Sequence, residues 1–157
     1  MRRESGRGTQ GRETAVQELM VLHGRALQQV GEAVASIFTI HGLLLQDADY
    51  VGTIHSLIQG RGMTAEYAVQ IAGVSFAAAF SAMDSPYMRA RAADIRDISQ
   101  RVIRALMGRR QELTMKEPAI LVADYFLPSE VMDFDQTRLL GLITHPCTPD
   151  THPATVR

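Results

Sequence analysis

The sequence predicts a mainly α-helical fold, a bundle of about four helices followed by a short, incomplete α/β segment. Three observations support this prediction. Apolar residues recur three and four positions apart over most of the first 108 residues, as on the buried side of amphipathic helices. Residues that favour helix caps stand at the ends of these runs. After Gly108 the pattern changes to two short, partly β-branched apolar runs, which are typical of buried strands.

The composition is that of a globular protein. The chain has 157 residues, of which 46% are hydrophobic, and a formal net charge of −1. A near-neutral charge gives no reason to expect nucleic acid or a membrane surface as a partner. No apolar run is long enough to span a bilayer. The single cysteine, Cys147, excludes an internal disulfide and favours a reducing, cytoplasmic location.

The first part of the chain predicts one long helix. Residues 1–12 are rich in arginine and glycine, and we expect them to form a disordered basic lead-in. The segment Thr14-Ala-Val-Gln17 has the pattern of a capping box, so the helix is expected to begin there. Helical periodicity continues to about Leu45, and only Gly24 and Gly31 interrupt it.

Two further helices are expected after a polar break that follows Leu45. The first runs from about Tyr50 to Gln59, and the glycines of Gly60-Arg-Gly62 end it. Thr64 is the predicted N-cap of the second. Its buried stripe is expected to contain Ala65, Ala68, Ala72, Phe76, Ala79 and Phe80.

The last predicted helix has the clearest boundaries. Ser85 is its expected N-cap, Pro86 occupies the first helical position, and Gly108 provides the C-terminal cap. Apolar and small residues alternate four and three apart along it, which predicts a packing seam. The seam consists of Met88, Ala92, Ile95, Ser99, Val102 and Leu106.

Residues 118–123 and 139–144 are the predicted strands, and a short helix or turn begins between them at Pro128. A strand, a short helix and a second strand in this order predict a parallel pair. Two strands are too few for an independent α/β domain, so this part is expected to be incomplete.

The predicted organisation therefore has four parts. The lead-in of residues 1–12 precedes a helical subdomain over residues 13–110. A partial α/β subdomain follows over residues 111–144, and the Pro-rich residues 145–157 are expected to form a tail.

A series of short motifs follows a fixed order along residues 13–144. The series comprises Ser36-Ile-Phe38-x-x-His41, Met63-Thr-Ala-Glu-Tyr-Ala-Val69, Met83-Asp-Ser-Pro-Tyr-Met88, Arg91-Ala-Ala-Asp-Ile-Arg-Asp-Ile98, Ile120-Leu-Val-Ala123, Leu127-Pro-Ser-Glu130 and Gly141-Leu-Ile-Thr144. In order and spacing these motifs resemble Enzyme I of the bacterial sugar phosphotransferase system, the phosphoenolpyruvate–protein phosphotransferase.

The resemblance implies a fold and a function. In that family a helical subdomain docks the small phosphocarrier protein HPr, and an α/β swivelling subdomain carries a histidine that takes phosphate from phosphoenolpyruvate. Phosphoenolpyruvate and Mg²⁺ bind a separate C-terminal barrel, which is absent from this chain. The resemblance thus implies HPr as the partner and no cofactor within this chain. It implies contact with phosphoenolpyruvate only through the absent barrel.

The resemblance also implies a phosphohistidine site. The family's active histidine lies eight residues after the Gly-x-x-Thr strand, and counting from Thr144 reaches His152. Arg91 would then pair with the phosphoryl group and Asp94 would orient the imidazole, since i, i+3 residues share one helix face. Around His152 the family's paired glycines are replaced, the first by Cys147. We therefore expect no phosphate transfer from phosphoenolpyruvate to this chain alone.

The charged residues and histidines also have simpler, purely structural interpretations. Asp97 and Arg101 are predicted to form an i, i+4 ion pair on a solvated face, and the same account applies to Arg91 and Asp94. His41 and His55 are expected at the edge of the core rather than at a metal, because no Glu-x-x-His pair accompanies them. A zinc site is not expected near the C-terminus, where the candidate ligands are His145, Cys147 and His152.

Candidate partner-binding residues are Met63, Tyr67 and Tyr87, because the family's docking groove contains exposed apolar residues rimmed by charge. Phe76, Phe80, Met83 and Met88 have the helical spacing of core residues but are also candidates for this groove.

Three hypotheses remain open from the sequence. The chain is part of a truncated or frame-shifted Enzyme I, or a non-catalytic helical module that docks HPr or another protein, or an unrelated helical interaction protein. Because the family dimerises through its C-terminal part, we expect a monomer. The sugars that the system would serve are not predicted.

Overall fold

The structure is a computed structural model that describes residues 2–108, 115–124, 126 and 128–144. The chain divides into two compact units, residues 1–110 and 111–157. In the first unit the described residues form helices α1 (Arg2–Gln29), α2 (Glu32–Leu44), α3 (Ala48–Arg61), α4 (Ala65–Ser81) and α5 (Pro86–Leu106). The prediction of a mainly helical fold is confirmed. Among the described residues, no helix combines the length and apolar character that a bilayer span requires.

The first helix begins well before its predicted start. Residues 2–12, expected to be a disordered lead-in, form the first turns of α1, and Thr14 lies inside the helix rather than at its cap. Gly8 and Gly11 are buried because other helices pack against them. A Cβ on Gly11 would lie 2.6 Å from the Leu106 side chain, so the glycine permits close approach of α5. The expectation of disorder is wrong because these glycines serve helix packing.

The start of α1 is also tied to the start of α4. Glu4 Oε2 accepts a hydrogen bond from the backbone N–H of Ala65 at 3.1 Å, which satisfies a donor that the helix itself leaves unpaired. Arg7 Nη1 donates to the same carboxylate at 2.9 Å, and its other Nη pairs with Glu66. The Ala65 hydrogen bond and the Arg7 charge lower the pKa of Glu4.

The single long helix predicted up to Leu45 is in fact two helices. Gly31 has a φ of 100°, in the region that favours glycine, and it separates α1 from α2. The N–H groups of Val30 and Gly31 both donate to the Ala26 carbonyl, at 2.8 and 2.9 Å. Helical periodicity continues across the break, so the sequence pattern alone did not reveal it.

The predicted caps of the later helices are confirmed. The Thr64 side chain accepts from the Tyr67 N–H at the start of α4. The Ser85 side chain accepts from the Met88 N–H, and Pro86 begins α5. Gly108 adopts a φ of 65° directly after this helix, as a C-terminal cap requires. Asp47 caps α3 in the same way as the threonine and the serine.

Helices α4 and α5 pack closely and run antiparallel. Gly73 lies against Ser99, whereas Ala77, further along α4, packs with Ala92 and Ile95 from earlier in α5. The predicted seam is thus the buried side of α5, and small residues on α4 allow the close approach.

The described part of the second unit contains β1 (Ala119–Ala123), α6 (Pro128–Asp133) and β2 (Leu139–Thr144). The strands pair in parallel, with Leu121 opposite Leu142 and Val122 opposite Ile143, so the predicted parallel pair is confirmed. The strands were expected to be buried, but four of their large apolar side chains are exposed: Ile120, Val122, Leu140 and Ile143. Two strands and one short helix are too few to cover both faces of a sheet.

Candidate functional site

A cluster of polar side chains connects α2 with α5. It consists of His41, Tyr87, Arg91, Asp94 and Asp97, and is called the Arg91 cluster below. Four of its members lie on α5 at intervals of three and four residues, so that one side of the helix presents them together. The fifth comes from the C-terminal half of α2.

Arg91 is held from two sides. Its Nη1 donates to Asp94 Oδ2 at 2.7 Å, and its Nη2 donates to the Tyr87 hydroxyl at 2.9 Å. The guanidinium carbon also lies 4.6 Å from the centre of the Tyr87 ring, in cation–π contact. Burial disfavours the charged guanidinium, but these hydrogen bonds outweigh it and raise the pKa of Arg91.

Asp94 connects the arginine to the interior. Its Oδ1 lies 3.2 Å from His41 Nε2, so each carboxylate oxygen faces a different partner. Burial alone would raise the pKa of Asp94, but His41 and then Arg91 outweigh it, and the pKa is lowered. Asp94 is therefore an ionised carboxylate in a mostly buried position.

His41 is the innermost member of the cluster, with 0% exposure. Its Nδ1 lies 3.8 Å from Asp97 Oδ2, so each ring nitrogen faces a carboxylate of α5. The Phe38 ring packs against it edge-on, with 6.1 Å between ring centres. His41 was predicted at the edge of the core, and the structure places it in the core.

An apolar patch involves the same two helices, α2 and α5, together with α4. Leu44, Phe76 and Phe80 are partly buried and pack on Ala77, Ala92 and Ile95. Leu43, which precedes Leu44, is 65% exposed. Met83, which follows α4, is 37% exposed. These five large side chains are called the apolar patch below; it consists of Leu43, Leu44, Phe76, Phe80 and Met83.

Comparison with known proteins decides the family. Residues 1–91 match the family model described as "PEP-utilising enzyme, N-terminal". The chain belongs to this family of PEP-utilising enzymes. The predicted resemblance to the N-terminal region of Enzyme I is thereby confirmed.

Individual relatives agree with this family assignment. It is 34% identical over 136 residues to a phosphoenolpyruvate–protein phosphotransferase of Geobacillus stearothermophilus, and 34% identical over 137 residues to one of Enterococcus faecalis. Each alignment covers 83% of this chain and 23% of the relative, so the chain spans about a quarter of the length of these relatives.

Two solved structures share the fold. A solution structure of Enzyme I aligns with a TM-score of 0.77 at 24% identity, over 91% of this chain and 58% of the other. The N-terminal domain of "Enzyme 1 - Nitrogen" aligns with a TM-score of 0.71 at 27% identity, over 96% of this chain and 61% of the other.

The structure brings together two of the three predicted catalytic residues, Arg91 and Asp94. His152 lies outside the described residues, as do His145 and Cys147. Sequence reasoning missed His41 as a member of the cluster. The available signal was a lone histidine in the apolar C-terminal half of α2, three residues after Phe38.

The prediction that Asp97 and Arg101 lie on a solvated face is wrong. Both residues are buried, with 1% and 4% exposure. Arg101 Nη1 donates to Glu18 Oε2 at 2.9 Å, a contact with α1 that the spacing along α5 does not predict. The earlier start of α1 contributes to this burial, because Gly11 and Leu106 bring the two helices together.

The candidate partner-binding residues are not gathered at one place. Tyr87 is exposed beside Arg91. Tyr67 lies in the first turn of α4, at the opposite end of the antiparallel pair, and Met63 precedes that helix. Because α4 has 17 residues, the two ends are about 25 Å apart. The roles of Met63 and Tyr67 stay predictions.

The resemblance to Enzyme I implies Mg²⁺ only outside this chain. Within residues 2–108, 115–124, 126 and 128–144, no group of three or more His, Cys, Asp or Glu side chains could hold a metal ion. The described residues therefore do not fit a magnesium site.

Proposed function

We propose that this chain docks the phosphocarrier HPr as the N-terminal part of a phosphoenolpyruvate–protein phosphotransferase. In that enzyme a histidine takes phosphate from phosphoenolpyruvate and passes it to HPr. The observation that carries the proposal is that α2 and α5 hold a hydrogen-bonded arginine and also contribute to a partly exposed apolar patch. The curated relatives named above support the reaction class.

The apolar patch supplies the contact area. Exposed apolar side chains grouped around a close-packed helix pair are unusual on a free surface and are typical of protein–protein contacts. Leu43 and Met83 are exposed, and Phe80 is partly buried. A partner that covers this patch removes apolar surface from water at both sides of the contact.

Arg91 supplies the charge. Arg91 is on α5, the helix whose Ala92 and Ile95 pack against the patch. A phosphoryl group that passes between two histidines carries negative charge, and a guanidinium fixed in advance stabilises that charge without reorganisation. His152 is the proposed phosphate acceptor, and Asp94 the residue that holds Arg91.

Docking is tested by titrating ¹⁵N-labelled HPr from Geobacillus stearothermophilus with the full chain. We expect shifts in HPr resonances, and roughly tenfold weaker binding for Arg91→Ala, since arginines are frequent hot spots of interfaces. Arg96→Ala is the matched control, because Arg96 is an exposed arginine on the same helix. HPr resonances that the wild-type chain leaves unmoved would contradict the proposed docking.

A second measurement distinguishes the docking of HPr from phosphate transfer to this chain. The chain is incubated with labelled phosphoenolpyruvate and Mg²⁺, with and without HPr. We expect no label on the chain alone, because phosphoenolpyruvate is proposed to bind only in the relatives' C-terminal barrel. Label retained on His152 would show that the chain has the transfer activity by itself.

A further inference from the structure

His41 occupies a position that the docking function does not by itself explain. It is fully buried on α2, yet its ring nitrogens face two carboxylates of α5. We infer that His41 is a positioning residue that fixes Arg91 through Asp94. This inference rests on the proposed docking of HPr, and it assigns to a buried residue a role in that contact.

Asp94 contacts both His41 in the interior and Arg91 nearer the surface. His41 Nε2 lies 3.2 Å from Asp94 Oδ1, and the other oxygen of this carboxylate accepts from Arg91 Nη1 at 2.7 Å. Exposure of the side chains increases from 0% for His41 to 13% for Asp94 and 20% for Arg91. The orientation of the carboxylate thus determines where the guanidinium lies.

The orientation of the His41 ring is itself fixed. Phe38 packs edge-on against the ring, and Asp97 Oδ2 lies 3.8 Å from Nδ1. Because the ring is fully buried and each nitrogen faces a carboxylate, a rotation of the ring would change its distance to Asp94. Without the imidazole, Asp94 Oδ1 would face the core with no donor at that position. Its carboxylate would then be free to rotate, and Arg91 would lose a fixed partner.

Two substitutions distinguish the contact of His41 Nε2 with Asp94 from the contact of Nδ1 with Asp97. In His41→Gln the side-chain amide reaches the position of Nε2 and retains a donor for Asp94. In His41→Asn the amide reaches only the position of Nδ1, toward Asp97. Both variants replace imidazole with a neutral amide, so the loss of the ring is common to them. The two variants differ in the contact that the inference requires.

The experiment measures HPr affinity by the same NMR titration, in the wild-type and Arg91→Ala backgrounds. We expect His41→Asn to weaken binding roughly five- to tenfold, because Asp94 would lose the polar contact at 3.2 Å that orients its carboxylate. We expect His41→Gln to bind within about twofold of the wild type. In the Arg91→Ala background the two variants should bind alike, because the group that His41 positions is then absent.

A purely structural role predicts a different result. It would lower the free energy of unfolding in both backgrounds and would not distinguish Gln from Asn by HPr affinity. His55→Leu, on α3, is the control for loss of a histidine outside the Arg91 cluster. Equal HPr affinities for the Gln and Asn variants, with Arg91 present, would overturn the inference.

A readout in the free chain keeps the inference distinct from the docking function. Arg91 Nη protons that are held by Asp94 and Tyr87 give separate NMR signals, and we expect His41→Asn to merge or broaden them. Failure of the wild-type chain to bind HPr would refute the proposed docking and remove the role inferred for His41 in it. Unchanged Nη signals in a folded His41→Asn variant would refute the positioning itself, whatever HPr does.

Discussion

Gly73 of α4 and Ser99 of α5 lie so close that a Cβ on residue 73 would come within 2.7 Å of the Ser99 Cβ. The serine has little freedom to move aside. Its hydroxyl donates to the Ile95 carbonyl at 2.7 Å and is hydrogen bonded to the Tyr50 hydroxyl at 2.8 Å. Gly73 of α4 therefore leaves room for Ser99, whose hydrogen bond with Tyr50 connects α5 to α3.

Gly73→Ala is expected to destabilise the chain by about 1–3 kcal/mol, because an added methyl group overpacks this contact. Gly52→Ala on α3 is the matched control. Nothing lies within 4 Å of a Cβ at residue 52, so alanine there should stabilise the helix by roughly 0.5–1 kcal/mol. Urea unfolding followed by circular dichroism measures both. Equal effects of the two substitutions would show that Gly73 is not sterically required.

Burial raises the pKa of Tyr50 to about 12, and the hydrogen bond between Tyr50 and Ser99 opposes this only in part. A phenol whose pKa is higher in the folded state stabilises that state below its unfolded value of 10.0. This contribution is lost as the pH rises from 10 towards 12. We expect the free energy of unfolding to fall by roughly 2–3 kcal/mol over this range in the wild type, relative to Tyr50→Phe. Ultraviolet titration and unfolding at several pH values test this, and parallel curves for the two proteins would contradict it.

The carboxylate of Glu4 is expected to slow hydrogen exchange of the backbone amide in the first turn of α4. Its pKa is lowered by the Ala65 hydrogen bond and by Arg7, so the contribution is present above the unfolded value of 4.5 and is lost as the pH falls through the lower folded value. In Glu4→Gln the Ala65 N–H should exchange with solvent several-fold faster, because the acceptor is weaker. Glu13→Gln, an exposed glutamate of α1, is the control. An unchanged exchange rate at Ala65 would argue against this connection between α1 and α4.

Arg101 is expected to matter more for stability than an arginine on a solvated face. Its guanidinium donates to Glu18 from a position that is only 4% exposed. Arg101→Ala should therefore lower the free energy of unfolding by about 2–3 kcal/mol. Arg96→Ala, exposed on the same helix, should change it by less than about 0.5 kcal/mol. Thermal and urea unfolding of the two variants compare these values; equal stability would favour the solvated pair that the sequence predicts.

Local chemistry made much of the fold predictable. Thr64, Ser85 and Gly108 cap helices as their residue types predict, because a cap depends on a few adjacent residues. The parallel strand pair was predictable from two short apolar runs and the interval between them. The pairing of Arg91 with Asp94 followed from their i, i+3 spacing.

The wrong structural predictions concern residues whose burial or conformation depends on more than the local sequence pattern. Gly8 and Gly11 resemble a flexible segment in the sequence, but partners far along the chain bury them. The turn at Gly31 depends on one positive φ, which helical periodicity does not report. Asp97 and Arg101 have the spacing of a surface ion pair, whereas α1 and α2 cover them.

The sequence by itself determined the helical class, most helix boundaries after α2 and the resemblance to Enzyme I, because these depend on local pattern and order. Only the tertiary structure decided that His41 contacts Asp94 and that Leu44, Phe76 and Phe80 pack on one apolar cluster. The physical reason is that burial and hydrogen bonding between α2 and α5 depend on how the helices pack. Spacing along one helix specifies which residues share a face, but not which helix covers that face.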